Sequence, residues 1–540
     1  MTEEVRVRFY PARVEGMVPK GSTIIEAARM LGVGLESPCN GTGKCAKDLV
    51  QVRTQETLKV QLACKTTIES DIEVTIPSRE DNRLKVVEHF HSDSSFSAPA
   101  STLMPREAAP PSYGVALDIG TTTLVAALVD MFDGETIGSS STLNPLVFYG
   151  HDVMSRIHYS VSHKDGLFTM HHELISAVNM LTDILAAEAG VRPEKICRLT
   201  AAGNTTMQHI FLNKKIAGLG EHPYQAEMLD AFTASAGELN IRIAELAPVT
   251  TFPCISAFVG GDIVSGLLAL NLKGSETPAL FLDIGTNGEM AIITDSGIVA
   301  TSTAAGPCFE GMTISNGMRA ALGAIEHVHF GKEVFLDVIG GERARGICGS
   351  GMLDLVAEMI EAEIINAQGR LQGADAPHVP EALRQRLSER EKRRYFRLTE
   401  DVTVSQEDIR QVQLARAAVR SGVEILLAEC GIKPEQVKNV IIAGGFGYHL
   451  KEESLLTVGL IPKFPEAKLS YVGNSCLEGA RRLLLDKELL DKSSAITGKA
   501  WVIELANLER FEASFVREMH FEVSPHVSCG IFSGVNIENS

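Results

Sequence analysis

Positive charge is what this chain has least of: 50 Lys and Arg stand against 68 Asp and Glu, leaving a formal net charge of −18 over 540 residues. A nucleic-acid surface needs a basic face, so nucleic acid is not an expected partner. Acidity alone names no other partner, because solubility accounts for it. Long apolar runs are missing too. The most hydrophobic stretch, Thr251 to Leu272, is broken by Gly260, Gly261 and Asp262 and reads as strand, turn and helix. A membrane span takes about 20 predominantly apolar residues with few or no charges. The opening Met1-Thr-Glu-Glu-Val-Arg-Val-Arg alternates charge with apolar residues and has no signal-peptide core. The expectation is a cytoplasmic protein with no membrane partner. Cysteine is sparse, at 10 residues. Scattered cysteines are mostly buried small hydrophobes, and only Cys39, Cys45 and Cys64 cluster. A local cluster points to a metal site rather than a disulfide framework.

What is present divides into segments. Hydrophobic residues at 45% provide ample core, and domains of about 100–200 residues predict three or so units. Residues 1–80 read as a compact β-rich unit. Val5, Val7 and Phe9 alternate with Arg6, Arg8 and Tyr10 as a half-buried strand, with Val14 to Val18 as its hairpin partner. Ser22 or Thr23 caps a helix that stops at Gly32, and Asp71 to Pro77 closes the unit as another alternating strand. Residues 81–112 are rich in Ser, Pro and Ala and read as an extended linker, serving either as plain spacing or as a tether. Residues 113–275 and 276–540 then alternate apolar strands with helices, the pattern of α/β layers.

In the first unit, Cys39-Asn-Gly-Thr-Gly-Lys-Cys45 spaces two thiols through a loop holding Gly41 and Gly43, and Cys64 follows just before the closing strand. Glycines let a backbone wrap an iron–sulfur cluster and aim amides at its sulfides. The order strand, strand, helix, cysteine loop and late strand is that of a β-grasp ferredoxin. The loop resembles the ferredoxin-like Cys-x5-Cys-x2-Cys pattern with a distant cysteine, which implies a [2Fe–2S] cofactor. The pattern's third cysteine is here Asp48. Three readings stand: Asp48 supplies a carboxylate oxygen as fourth ligand; three cysteines hold the cluster with an external ligand; or the cluster has been lost. The retained glycines and Cys64 rank loss last.

Two further strings carry phosphate chemistry. Asp118-Ile-Gly120-Thr121-Thr122-Thr123 and Asp283-Ile-Gly285-Thr286-Asn287-Gly288-Glu289 each end an apolar strand with an acid, a glycine turn and hydroxyl residues. The turn lets a phosphate approach, and hydroxyls and backbone N–H groups bind its oxygens. One such string is weak evidence; two, each on a hydrophobic hairpin, are strong. The duplication extends further: Arg198 to Asn204 resembles Val440 to Phe446, and Ala257-Phe-Val-Gly-Gly-Asp262 resembles Ser470-Tyr-Val-Gly-Asn474, each predicted as a strand leading into a helix.

With Ala443-Gly-Gly-Phe-Gly447, these hairpins look like the actin, heat-shock-chaperone and sugar-kinase superfamily. The resemblance implies that Asp118 and Asp283 handle Mg2+ and the attacking water of ATP hydrolysis, and that Gly444, Gly445 and Gly447 line the adenosine. A ferredoxin unit, a linker and two such lobes resemble one narrower family, the reductive activators of corrinoid proteins. Gly203 to Met207, Gly306 to Gly311 and Gly346 to Gly351 match it as well. The resemblance implies an ATP-hydrolysing electron-transfer enzyme. It reduces Co(II) to Co(I) in the corrinoid protein of a methyltransferase system, with a low-potential donor supplying electrons and a homodimer left open. The rivals are an activator of 2-hydroxyacyl-CoA dehydratases, which lacks the β-grasp unit; a sugar or acetate kinase, which needs no redox unit; and a non-enzymatic nucleotide-switched scaffold. Cys308 and Cys348 are expected as buried structural thiols, His89 and His91 as solvated, Glu381 to Arg397 as an exposed charged helix, and Gln411 to Leu427 as a buried one.

Overall fold

The computed structural model describes residues 3–10, 14–35, 49–54, 58–76, 112–331, 333–445 and 450–522. Cys39, Cys45, Asp48, Gly447, His89, His91 and the linker reading of residues 81–111 lie outside them.

The N-terminal alternation folds as it reads. Strand β1 (Glu4–Tyr10) buries Val5, Val7 and Phe9 and pairs antiparallel with β2 (Val14–Pro19). Its outward Arg8 meets Glu15 at 2.9 Å and Glu73 at 3.2 Å, exposed pairs worth about 0–1 kcal/mol. Helix α1 (Ile24–Met30) starts in a capping box in which the Thr23 hydroxyl accepts from the Glu26 N–H and the Glu26 carboxylate accepts from the Thr23 N–H. Ile24, Ala27 and Ala28 face the sheet. Strands β3 (Leu49–Arg53) and β4 (Leu58–Leu62) form a second hairpin, and β5 (Ile72–Thr75) runs between them and β1, parallel to β1. The sheet order is β2-β1-β5-β3-β4.

The next unit opens with a meander of β6 (Tyr113–Ile119), β7 (Thr123–Asp130) and β8 (Thr136–Leu143). Helices α2 (Val153–Ser162) and α3 (Gly166–Glu188) follow, then β9 (Ile196–Gly203) parallel to β6, α4 (Thr205–Phe211), β10 (Phe232–Ser235), β11 (Pro248–Thr251) and α5 (Gly261–Leu270). The sheet runs β10-β11-β9-β6-β7-β8.

The last unit repeats the plan. Its meander is β12 (Ala279–Ile284), β13 (Gly288–Thr294) and β14 (Gly297–Thr303). A subdomain follows: β15 (Ala324–Phe330), β16 (Val334–Val338), β17 (Gly346–Ile347), α6 (Gly349–Glu361), α7 (Glu381–Arg384), β18 (Leu387–Arg390), β19 (Arg393–Arg397) and β20 (Thr403–Ser405). Then come α8 (Gln406–Glu429), β21 (Asn439–Ala443), α9 (Glu452–Val458), β22 (Lys468–Gly473), α10 (Ser475–Leu485), α11 (Leu489–Gly498), β23 (Ala500–Val502) and α12 (Glu509–Glu518). The sheet order β22-β21-β12-β13-β14-β23 mirrors the first lobe across five positions. The fold is therefore multidomain α/β. No helix among the described residues is long and apolar enough to cross a membrane.

The lobes exchange helices. Cys476, Leu477, Ala480 and Leu484 of α10 pack on Ala116, Val125 and Ala127 of the first sheet. Ile263, Leu267 and Leu270 of α5 pack on Phe281, Ala291 and Ile441 of the second. The two helices meet backbone to backbone at Gly479, where a Cβ would lie 2.1 Å from the Ser265 carbonyl oxygen. Arg198 Nη1 donates to the Leu484 carbonyl at 2.7 Å, and Arg481 Nη1 to the Gly134 carbonyl at 2.9 Å, tying α10 to the first lobe.

Two expectations are corrected. Glu381 to Arg397 is not one exposed helix: only α7 is helical, and β18 and β19 form a hairpin with Leu387 opposite the buried Phe396. Glu391 and Lys392 turn it with φ of 50° and 64°, and its exposed Glu389, Arg390, Arg393 and Arg397 carry the same charge density as a solvated helix. The strand expected at Ala257 to Gly260 is absent. The counterpart of β22 is β11, parallel to β9 as β22 is to β21, and residues 252–260 are the loop leading to α5. Gln411 to Leu427 does form the buried helix expected, within α8.

Candidate nucleotide site

The two hairpins face each other across a cleft of about 230 Å3. Asp118 ends β6 and Asp283 ends β12, and Gly120 to Thr123, Gly285 to Asn287, Glu289, Gly444 and Gly445 line the space with them. The sequence thus names most of the lining; Gly288 sits beside it in β13. Across the cleft the Thr122 and Thr286 hydroxyls lie 2.9 Å apart. Thr286 donates its proton to Glu310 Oε1 at 2.8 Å, so Thr122 is the donor between the lobes. At the end of β21, Gly444 has φ of 94°, and a Cβ there would stand 2.7 Å from Asp283 Oδ1. Only glycine allows that strand end to press against the acid.

Further polar residues that the motifs do not assign line the pocket, Asp262, Asn474 and Arg319 among them. Asp262, at the first turn of α5, lines the cleft with Asp118, Asp283 and Glu289. Its signal in the sequence is the repeated Val259-Gly-Gly-Asp262 string, whose acid stands where the second lobe has Asn474. Asn474, the N-cap of α10, donates through Nδ2 to Asp118 Oδ2 at 2.9 Å. Arg319 reaches the cleft from a loop, and its buried Nε has no hydrogen-bond partner among the described residues. Nothing local in the sequence marks it.

The pocket gathers four carboxyl groups, and burial raises every one of them. Burial pushes Asp283 up to about 8, with Asp262 and Asp118 adding to the rise. Burial likewise raises Asp262 to about 6 and Glu289 well above the carboxylate range. Asp118 is raised by burial as well, but hydrogen bonds from Cys476 and Asn474 pull against it. Among the described residues no group of three His, Cys, Asp or Glu side chains converges to hold a bare metal ion. Mg2+ keeps waters and shares a triphosphate's oxygens rather than sitting in an all-protein cage, so such a pocket suits an ion that arrives with a nucleotide. Cys308 and Cys348 are buried and burial pushes both thiols up, as structural cysteines require.

Two duplicated α/β lobes closing phosphate hairpins on one cleft define an actin-like, ATP-binding protein. A family model described as the C-terminal domain of RACo, the ASKHA domain, matches residues 277–532, and one described as the RACo middle region matches residues 113–275. A solved structure of a reductive activator for a corrinoid, iron-sulfur protein is 30% identical with a TM-score of 0.72, covering 96% of this chain and 98% of that one. The corrinoid activation enzyme RamQ of Eubacterium limosum is 28% identical over 96% of this chain and 99% of its own length. The [Co(II) methylated amine-specific corrinoid protein] reductase of Methanosarcina barkeri is 25% identical over 76% of this chain and 77% of its own. The chain belongs to the reductive activators of corrinoid proteins.

Proposed function

We propose that this protein uses ATP to return the corrinoid of a partner protein from Co(II) to Co(I), passing one electron at a time through a [2Fe–2S] cluster in its N-terminal unit. The observation that carries the reading is the pair of acid-and-threonine hairpins held face to face by the Thr122–Thr286 bond. Asp118 and Asp283 position Mg2+ and the attacking water, and the Gly120–Thr123 and Gly285–Glu289 turns take the phosphates. Gly444, Gly445 and Gly447 take the adenosine, and the unpartnered Arg319 Nε supports a phosphate contact. The working units are residues 1–80, 113–275 and 276–540, with 81–112 as tether.

The mixed five-stranded sheet crossed by one capped helix supports a β-grasp ferredoxin-like unit. Of the ligands, Cys64 is described: it is 7% exposed, in the turn after β4, packed with the unit's core. A buried thiol at the rim of that core fits a cluster ligand; Cys39, Cys45 and Asp48 are assigned by spacing alone. When bound, the cluster supplies a one-electron relay. Each tenfold bias of such a transfer is roughly 59 mV, and a closing nucleotide cleft provides bias by favouring one corrinoid state over the other in the complex.

The test is anaerobic. Protein reconstituted with iron and sulfide, a low-potential donor, ATP and a Co(II) corrinoid protein should yield Co(I) absorption that depends on ATP. ATP hydrolysis without cobalt reduction, over corrinoid proteins from several methyltransferase systems, would sink the electron-transfer reading. Asp48→Cys should slow cluster loss and Asp48→Ala hasten it; three identical loss rates would remove Asp48 from the ligand set.

A further inference from the structure

The back of the first phosphate hairpin is held by one short segment of the middle lobe. Asn144 donates through its N–H to the Thr122 carbonyl at 2.9 Å and through Nδ2 to the Gly120 carbonyl at 2.7 Å. Arg156 Nη2 donates to the Thr121 carbonyl between them. Three consecutive carbonyls are thus taken by two residues, through the Asn144 backbone N–H and the Asn144 and Arg156 side chains, and both residues have no solvent exposure. Arg156 Nε also donates to the Gly150 carbonyl at 2.9 Å, which ties the end of the segment to α2.

That same segment carries the contact surface for the N-terminal unit. Asn144 caps a short turn, Pro145–Phe148, that leads into Tyr149 and α2. The Phe148 ring sits over Gly34, so close that a Cβ on Gly34 would fall 2.9 Å from its Cζ. Tyr149 and Tyr159 pack with centroids 4.8 Å apart, and Tyr159 stacks on His163 at 4.1 Å. Arg29, exposed overall, lies within electrostatic reach of both tyrosines. The seat thus touches the N-terminal unit at Gly34, five residues before Cys39 in the sequence.

We propose that this clasp makes nucleotide binding and seating of the N-terminal unit cooperative, each strengthening the other. The inference rests on reading the hairpin as the phosphate site. A peptide's C=O and the following N–H are two ends of one dipole. Asn144 and Arg156 hold the carbonyl ends of the three peptides that follow Gly120, Thr121 and Thr122. An anion taken by the amide ends polarises the same units in the same sense, so each bond strengthens the other. The Arg156 charge behind the loop adds to the attraction. A hairpin stiffened by nucleotide fixes Asn144 and Arg156, and with them Phe148, Tyr149 and Tyr159. Linkage requires the reverse as well: a seated N-terminal unit must tighten nucleotide binding by the same factor.

Full-length protein is titrated anaerobically with a non-hydrolysable ATP analogue and Mg2+, and hydrogen exchange is followed at residues 24–35, 118–123 and 283–289. The analogue should slow exchange at both hairpins and also at 24–35. Phe148→Ala should abolish the effect at 24–35 and weaken analogue binding about fivefold, the lower end of typical coupling. Gly34→Asp, which leaves the middle lobe untouched, should do the same, so a folding defect from the Phe148 change cannot mimic the result. Protected hairpins with unchanged exchange at 24–35, or wild-type affinity in both variants, would overturn the coupling while leaving the nucleotide site standing. Hairpins that gain no protection would bring down the site reading and this proposal together.

Discussion

The two phosphate hairpins share the string Asp-Ile-Gly-Thr, yet their surroundings differ. Asp118 is held by Asn474 at 2.9 Å, and hydrogen bonds from Asn474 and Cys476 oppose the upward push of burial. Asp283 has no such opposing hydrogen bond among the described residues: burial and its acidic neighbours raise it to about 8. The loop after Asp118 is clamped from behind by Asn144 and Arg156, whereas Thr286 after Asp283 leans on Glu310, whose Oε2 is buried without a hydrogen-bond partner among the described residues. Duplication therefore yields one preset hairpin and one that waits for its ligand. The first offers a carboxylate positioned by hydrogen bonds; the second, raised by burial to about 8, gains its charge when a cation arrives.

The largest effect should come from removing either acid. Asp118→Ala and Asp283→Ala should each lower ATPase turnover about 100- to 1,000-fold, the scale of losing one preorganised electrostatic group, while the visible spectrum of the reconstituted cluster stays as in wild type. Turnover at the wild-type rate in either variant would remove that acid from the mechanism.

A pH experiment addresses the asymmetry itself. Folding lifts Asp283 from an ordinary value of 3.8 to about 8, so between those values the folded protein holds a proton that the unfolded chain has released. Stability of the empty protein from this group is therefore greatest below the lower value and falls as pH rises through the higher one. Mg2+ with nucleotide favours the ionised acid, so its binding should release protons and its thermal stabilisation should grow from pH 6 to pH 8.5. Asp283→Asn should flatten the fall for the empty protein. Calorimetry in buffers of different ionisation enthalpy measures the release, and none at pH 7 would contradict the raised value.

The smallest effect separates the two threonines. Thr122→Val loses one hydrogen bond, about 1 kcal/mol. Thr286→Val loses two and strands Glu310, so urea unfolding should show it as the more destabilising change. Equal losses would mean the second hairpin is as well supported as the first.

The site was legible in the sequence to the extent that chemistry and turn geometry fall on neighbouring residues. Each Asp-Ile-Gly-Thr string needs its acid, turn and hydroxyl within a few positions, so a linear reading finds them. Asp262 and Asn474 reach the cleft from a helix start and a helix cap that the packing of α5 and α10 brings together, and Arg319 from a loop far from both in sequence. The strand misplaced at Ala257 shows the same limit: Pro248–Thr251 is short and half polar, and its identity lies in pairing with β9 rather than in its own composition. The charged hairpin after Pro380 prints no period of two because each of its strands buries a single residue, Leu387 in β18 and Phe396 in β19.

Helices α5 and α10, crossing at Gly479 with each covering the other lobe's sheet, make the boundary near residue 276 a division of sequence but not of matter. A chain severed there gives two fragments that each lack one wall of their own core. Neither should be soluble alone, whereas the pair, made together, should find one another. Evolution can then alter the lobes independently only on their outer surfaces, because any change in the shared interior must be answered from the other half.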